Sequence, residues 1–267
     1  TYAEVDLRRI GEGEMAAIRE RVMAGEQVLG AMIFEFFSPG IPQLLVHAGC
    51  EYALYDMEHT GVGLETMKAQ VSYCRGLTIT PMVRVPRGEY QFLARALDIG
   101  MRGVMIPMVE SREEAEAIAE ACRYPPMGRR GAAFGFAHDD FIADPAATIA
   151  KANAETLVIA QIETERGLEN VEEIASTPGI DVLWVGHFDL ANFLGIPGEF
   201  QNPVFIDAVK ATVAAARRHG KGLGFMPADA AWAAEYKGYG FNMLAVGTDH
   251  GLLMQGVKSV LASMEEA

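Results

Sequence analysis

The chain has 267 residues, half of them apolar and 22% charged, with a formal net charge of −14. That length fits one large domain or two small ones and supports a sizeable core. So acidic a surface argues against nucleic acid and anionic lipid as partners, and no apolar run reaches the roughly 18–20 residues that cross a bilayer.

The opening stretch "TYAEVDLRRIGEGEMAAIRE" is too charged for a secretory signal. From residue 29 onward, short apolar runs alternate with amphipathic ones. "LGAMIFEF" (29–36) is the first expected strand, with a weak helix in "GIPQLLVHAG" after it. "YALYDM" (52–57) is the second, followed by a helix over 63–75. Strands follow at "TPMVRV" (80–85) and "GVMIPMV" (103–109), with helices over 89–99 and 111–122. Residues 123–155, with Arg129 and Arg130 beside three glycines, form a long connection. A connection of that length is expected to be either a lid or binding loop over the site or a packed surface loop. The second half carries strands at "TLVIAQIE" (156–163), "DVLWVGHF" (181–188), "GLGFMP" (222–227) and "NMLAVGTD" (242–249). Helices are expected over 166–176, 203–219 and 228–238, and "HGLLMQGVKSVLASM" (250–264) follows the last strand.

Eight strands, each followed by a helix, predict a parallel sheet. Eight such units in about 250 residues predict closure into a (β/α)8 TIM barrel, one domain over residues 1–267. No G-x-G-x-x-G follows the first strand, which argues against a dinucleotide-binding sheet. Cys50, Cys74 and Cys122 are odd in number, widely spaced and set in apolar surroundings. They read as reduced core thiols of a cytoplasmic protein.

Barrels of this kind place their chemistry at the C-terminal ends of the strands. Those ends carry Asp56, Glu58 and His59 in "YDMEHTG", then Arg84, then Gln161 and Glu163, then His187 and Asp189. Each has a local alternative. Glu163 and Asp189 could cap the helices that follow, Arg84 could pair with a carboxylate, and His59 could be a loop histidine. Their coincidence at the ends of four strands favours a site. Two carboxylates from adjacent strands, without a histidine or cysteine cluster, suit a hard divalent cation such as Mg²⁺ or Mn²⁺. Glu163 and Asp189 are the expected ligands. His187 is a further ligand or, preferably, a residue lining the pocket.

The segments "AGCEYALYDMEHT", "PMVRVP", "ALDIGMRGVMIPMVES", "PPMGRRG", "QIETERGLENVEEIASTPGIDVLWVGHFDL" and "GTDHGLLMQG" run in this order from about residue 28 to residue 262. Together they resemble the HpcH/HpaI aldolase family, the metal-dependent pyruvate aldolases. The resemblance implies reversible cleavage of 4-hydroxy-2-oxoacids to pyruvate, or a close 2-oxoacid, and an aldehyde, with Mg²⁺, Mn²⁺ or Co²⁺ as cofactor. By position, Glu163 and Asp189 look like the metal ligands, and His59 like the base that works through a metal-bound water. Asp98, in "ALDIG", looks like the carboxylate that orients this base from a neighbouring subunit. Its place near a helix C-terminus, where the dipole disfavours an anion, hints at such an outside duty. Arg84 looks like the group on the keto oxygen, and Gln161 like the family's pocket glutamine. Backbone N–H groups around Phe188 and Asp189 would receive the substrate carboxylate. Asp56 and Glu58 belong to the same polar mouth. The resemblance also implies a homohexamer, a trimer of dimers that exchange their last helices.

The sequence departs from the family pattern at His187 and Phe188, where a proline and a small residue are usual, and at Ala191, where serine is common. "AAFGFAHDDF", after Gly131, lacks the arginine and tyrosine common there. These changes spare the metal pair and bear on the aldehyde. A Schiff-base alternative finds no lysine at the strand ends, since Lys68, Lys151, Lys210, Lys221, Lys237 and Lys258 lie in helices or at strand starts. A citrate-lyase or malyl-CoA-lyase activity on a thioester ranks lower for want of a basic CoA-binding surface. A non-catalytic 2-oxoacid-binding protein does not explain the full set His59, Arg84, Glu163 and Asp189.

Overall fold

The computed structural model describes residues 17–265. The reading of the charged opening stretch therefore lies almost wholly outside the described residues. The chain enters through the short helix α1 (Ile18–Met23). Then come β1 (Val28–Ile33), α2 (Ile41–His47), β2 (Tyr52–Asp56), α3 (Leu64–Cys74), β3 (Thr80–Arg84), α4 (Tyr90–Asp98), β4 (Gly103–Ile106) and α5 (Arg112–Cys122). The second half begins with α6 (Pro145–Glu155), β5 (Leu157–Ile162), α7 (Glu165–Glu169), α8 (Val171–Ser176), β6 (Val182–Val185) and α9 (His187–Phe193). It ends with α10 (Pro203–Arg218), β7 (Gly222–Phe225), α11 (Ala230–Tyr239), β8 (Met243–Thr248) and α12 (Asp249–Glu265). All neighbouring strands pair in parallel, and β8 pairs with β1, so the sheet closes into the expected (β/α)8 barrel.

Alternation along each strand divides the apolar residues into two sets. Met32, Tyr52, Leu54, Met82, Met105, Leu157, Ile159, Val182, Trp184 and Met243 fill the barrel. Ile33, Tyr55, Val83, Ile106, Ile162, Val185 and Phe225 face the helices. Each fully buried side chain of this size contributes roughly 1.5–3 kcal/mol. Gly30 and Gly224 make room for the rings of Tyr52 and Trp184, which would overlap any Cβ there. Helix α1 adds Ile18 and Val22 to the inner set, and Asn242 donates from Nδ2 to the Val22 carbonyl at 2.8 Å. The inward column turns polar only at its C-terminal end. It runs Tyr52, Leu54, Asp56 on β2, then Met82, Arg84 on β3, then Leu157, Ile159, Gln161 on β5.

Three expectations need correction. The 123–155 connection is not structureless, for it holds a 3₁₀ turn over Ala137–Asp139 and the helix α6. Asp144 caps α6 through Ala147 N–H at 3.1 Å, but the helix buries only Asn153, so it shows no apolar stripe to read. Nor does the 3₁₀ part of this connection cover the mouth. Arg75 donates to the Ala137 carbonyl at 3.0 Å and pairs with Asp140 at 3.3 Å, and Gly100 abuts Ala137. Arg75 and Gly100 precede β3 and β4, so this part packs at the N-terminal end of the strands. The helix expected over 166–176 breaks at Asn170, whose Nδ2 donates to the Glu110 carbonyl at 2.7 Å.

The three cysteines are buried free thiols, and burial pushes Cys74 up to about 11 and Cys122 up to about 12. Among the described residues, no helix is long and apolar enough to cross a membrane. Beyond Asp249, helix α12 buries no apolar side chain: Leu253, Met254, Val257, Val260, Leu261 and Met264 are all more than half exposed.

Candidate active site

The turn "YDMEHTG" is wound around Asp56. This fully buried carboxylate accepts from Arg84 Nε through Oδ1 and from the His59 N–H through Oδ2 at 2.8 Å. Thr60 Oγ1 donates to the Asp56 carbonyl at 2.6 Å and tightens the turn. Arg84 also pairs through Nη1 with Glu58 Oε2 at 2.9 Å, and its guanidinium lies 5.5 Å from the Phe34 ring centroid. So the pairing foreseen for Arg84 exists, and it fixes the guanidinium at the mouth. The His59 ring is half exposed, with Nε2 3.7 Å from Glu58 Oε2. Burial pushes the Glu58 carboxyl up, against the pull of Arg84.

Glu163 follows β5 directly and is buried. Its Oε1 accepts from Met108 N–H at 2.8 Å, and its Oε2 accepts from Gln161 Nε2. Burial, reinforced by the charges of Glu58 and Asp189, pushes its carboxyl up to about 8. The capping alternative fails here, because Thr164 is the residue that caps α7, accepting Gly167 N–H at 2.9 Å. Asp189 does not end a strand. It stands in the first turn of α9, whose N-cap position is Gly186 with no side-chain cap.

Met108 was not legible in the sequence. It has φ +50°, a conformation costing a side-chain-bearing residue about 1–3 kcal/mol, and this bend after β4 accompanies the N–H contact to Glu163. Asp249 was missed as well. Its carboxylate accepts from the N–H groups of Phe34 (3.0 Å), Glu35 (3.0 Å) and Phe36 (2.7 Å), so the end of β8 anchors the loop after β1. Burial alone would raise its carboxyl, but these N–H groups together hold it low. Only "GTDHG" among the quoted segments marked it.

One residue, His187, lies elsewhere than expected. His187 neither faces the mouth nor offers a ligand position. Its ring packs among Phe200 and Phe225, both 5.2 Å away, and Trp232 at 5.4 Å, and burial pushes it down to about 4. Asp98 ends α4, which brings the chain back to the N-terminal end of the strands. It accepts from Arg130 Nη2 at 2.7 Å, remote from the His59 of its own chain. Phe188 is 64% exposed at the rim.

Among the described residues, no three or more His, Cys, Asp or Glu side chains converge as a ligand set. Oxygen donors are nonetheless assembled. Gln161 Oε1 is buried without a partner beside Glu163. A Cβ on Gly186 would fall on Glu163 Oε2 and 2.6 Å from Gln161 Nε2, so the glycine keeps this space free. The carboxylates of Asp56, Glu58, Glu163 and Asp189 outnumber the one guanidinium among them. An all-oxygen donor set with surplus negative charge fits a hard divalent cation.

A polar mouth of this kind on a closed parallel barrel defines an enzyme that works at the C-terminal ends of its strands. The chain belongs to the HpcH/HpaI aldolase/citrate lyase family, whose match spans residues 34–256. It is 33% identical over 244 residues to the hydroxypyruvate/pyruvate aldolase of Roseovarius nubinhibens, covering 91% of this chain and 95% of that one. It is 33% identical over 238 residues to the 5-keto-4-deoxy-D-glucarate aldolase of Salmonella arizonae, covering 89% and 93%. The HpcH/HpaI aldolase from Desulfitobacterium hafniense superposes with a TM-score of 0.89 at 29% identity, covering 94% and 98%. The protein is an enzyme, a carbon–carbon lyase, and the family resemblance carried by its motifs is borne out.

Proposed function

We propose that this chain is a divalent-metal-dependent aldolase that reversibly splits 4-hydroxy-2-oxoacids into pyruvate, or a close 2-oxoacid, and an aldehyde. The observation that carries this reading is the buried Glu163–Gln161 pair beside Asp189, with surplus carboxylate charge and an unpartnered amide oxygen. The aldolase names of the relatives support it. Glu163 and Asp189 hold the cation, with Gln161 Oε1 beside them. Bound there, Mg²⁺, Mn²⁺ or Co²⁺ supplies Lewis acidity that polarises the keto oxygen and stabilises the enolate.

The protein's own groups do the rest. Arg84, fixed by Asp56 and Glu58, gives a second positive contact where charge develops on the keto oxygen. Backbone N–H groups of Phe188 and Asp189, at the start of α9, receive the substrate carboxylate. His59 takes the C4 hydroxyl proton. The C3–C4 bond then breaks, its electron pair passes into the enolate, and the aldehyde leaves. Return of a proton to C3 gives the 2-oxoacid. Asp98 orients the His59 of another subunit, a role supported by its position at the far end of its own barrel. The bare apolar face of α12 supports a homo-oligomer, a hexamer with exchanged last helices. A single barrel domain and a cytoplasmic location belong to the same reading, and the buried free thiols support the latter.

A pyruvate-release assay over a panel of 4-hydroxy-2-oxoacids tests this. Activity disappears in excess EDTA and returns with Mg²⁺, Mn²⁺ or Co²⁺. Turnover that persists in EDTA, or no 2-oxoacid from any substrate, sinks the reading.

A further inference from the structure

We infer that the aromatic rim beside Asp189 is the acceptor subsite, suited to an uncharged aromatic aldehyde and closed to an anionic one; this rests on the aldolase reading above. Helix α9 opens with His187 and Phe188. The buried His187 ring props up Phe188, with their centroids 4.3 Å apart, and Phe188 meets Phe200 edge-on at 5.5 Å. Phe188 thus stays 64% exposed while covalently joined to Asp189. An apolar ring kept in water at the edge of a reaction centre leaves its burial energy for a ligand to collect.

Beyond this ring lies a groove of about 700 Å³, between residues 198–202 and the start of α11. One wall is the loop between α9 and α10, after β6, and the other is the loop after β7 with the first turns of α11, so it opens at the same end of the barrel as the mouth. Phe200 and Trp232, 5.1 Å apart, line it together with Glu199, Asp229 and Glu235. No lysine or arginine lines it. Three carboxylates without a cation repel an anion, and two rings favour a flat apolar body. Phe188 therefore serves both halves of the reaction. On the aldolase reading its backbone N–H receives the donor carboxylate, and its ring begins the acceptor path that Phe200 and Trp232 continue.

The test compares benzaldehyde with glyoxylate as acceptors for pyruvate. The wild type favours benzaldehyde by kcat/KM, and Phe188→Ala lowers the benzaldehyde-to-glyoxylate ratio about tenfold. Phe188→Tyr, which keeps the ring, retains most of the ratio. Glu235→Lys moves the ratio towards glyoxylate. Binding is read separately from the broadening of the ¹⁹F line of 4-fluorobenzaldehyde, which the wild type causes and Phe188→Ala reduces. A wild type that prefers glyoxylate, or a ratio unchanged in Phe188→Ala, overturns the inference. If no enolate forms from pyruvate, the aldolase reading fails while the fluorine signal still decides on the groove; absent broadening in the wild type removes the subsite.

Discussion

Asp56 and Arg84 are register partners across β2 and β3, and Arg84 Nε donates to Asp56 Oδ1 in the closed interior of the mouth. The other oxygen of Asp56 holds the His59 N–H at 2.8 Å. One buried carboxylate thus sets both the guanidinium and the turn that carries the imidazole. Asp56→Ala leaves a buried guanidinium with Glu58 alone and is expected to cost about 3–5 kcal/mol in urea unfolding. Asp56→Asn keeps an acceptor and costs about 1–2 kcal/mol, yet it lowers pyruvate proton exchange roughly a hundredfold by loosening Arg84 and His59. Equal exchange in Asp56→Asn and the wild type would show that this carboxylate is structural only.

The base is tested by hydrogen–deuterium exchange at the methyl group of pyruvate. His59→Ala loses exchange and aldol turnover while Mn²⁺ binding persists. Asp98→Ala loses less, because it orients a base and does not itself move the proton. Near-full exchange in His59→Ala would remove His59 from that role.

The barrel was legible because eight apolar runs punctuated by helices carry it, and period-two burial is a property of sequence. Asp56, Glu58, Arg84, Gln161 and Glu163 were legible because polar residues interrupt apolar strands where the strands end. Asp189 was found by type but misplaced, since β6 stops at Val185 and a helix starts two residues later. His187 misled because position near the mouth does not give side-chain direction; the ring turns outward into Phe225 and Trp232. Met108 contributes a backbone N–H, which no residue type announces. The place of the 123–155 connection depends on contacts such as Arg75 with Ala137, far apart in sequence and silent in composition.

Helix α12 leaves Leu253, Val257, Val260, Leu261 and Met264 bare along one continuous helix. A second copy is the expected cover. Light scattering at micromolar concentration should give a mass well above the monomer, with the hexamer as the expected species. Replacing Val257 and Leu261 by aspartate puts charge into the covered face and yields smaller species with an intact circular-dichroism spectrum. A wild-type monomer would contradict the exchanged helix.

If Glu163 holds the proposed cation, it links cation binding to pH. Its carboxyl rises from the ordinary 4.5 to about 8 on burial beside Glu58 and Asp189. Between those values the folded metal-free protein still holds a proton that the unfolded chain has released. Stability therefore falls as pH rises through that window, by a few kcal/mol at most, at roughly 1.4 kcal/mol per pH unit. On the proposed metal-dependent reading, a divalent cation is expected to replace the proton and remove the penalty. Thermal unfolding should show Mg²⁺ or Mn²⁺ raising Tm more at about pH 8 than at about pH 5.5. Binding near neutral pH should release protons, which calorimetry in buffers of different ionisation enthalpy measures. Glu163→Gln keeps the size and the hydrogen-bonding reach while deleting the charge. Without metal it should be more stable than the wild type at about pH 8, with a flatter pH dependence, and it should lose the cation-dependent rise in Tm. A helix cap at this position would behave oppositely, losing stability on substitution at every pH and ignoring the cation. Identical pH slopes in the two proteins, or an undiminished cation effect in Glu163→Gln, would remove Glu163 from the metal site.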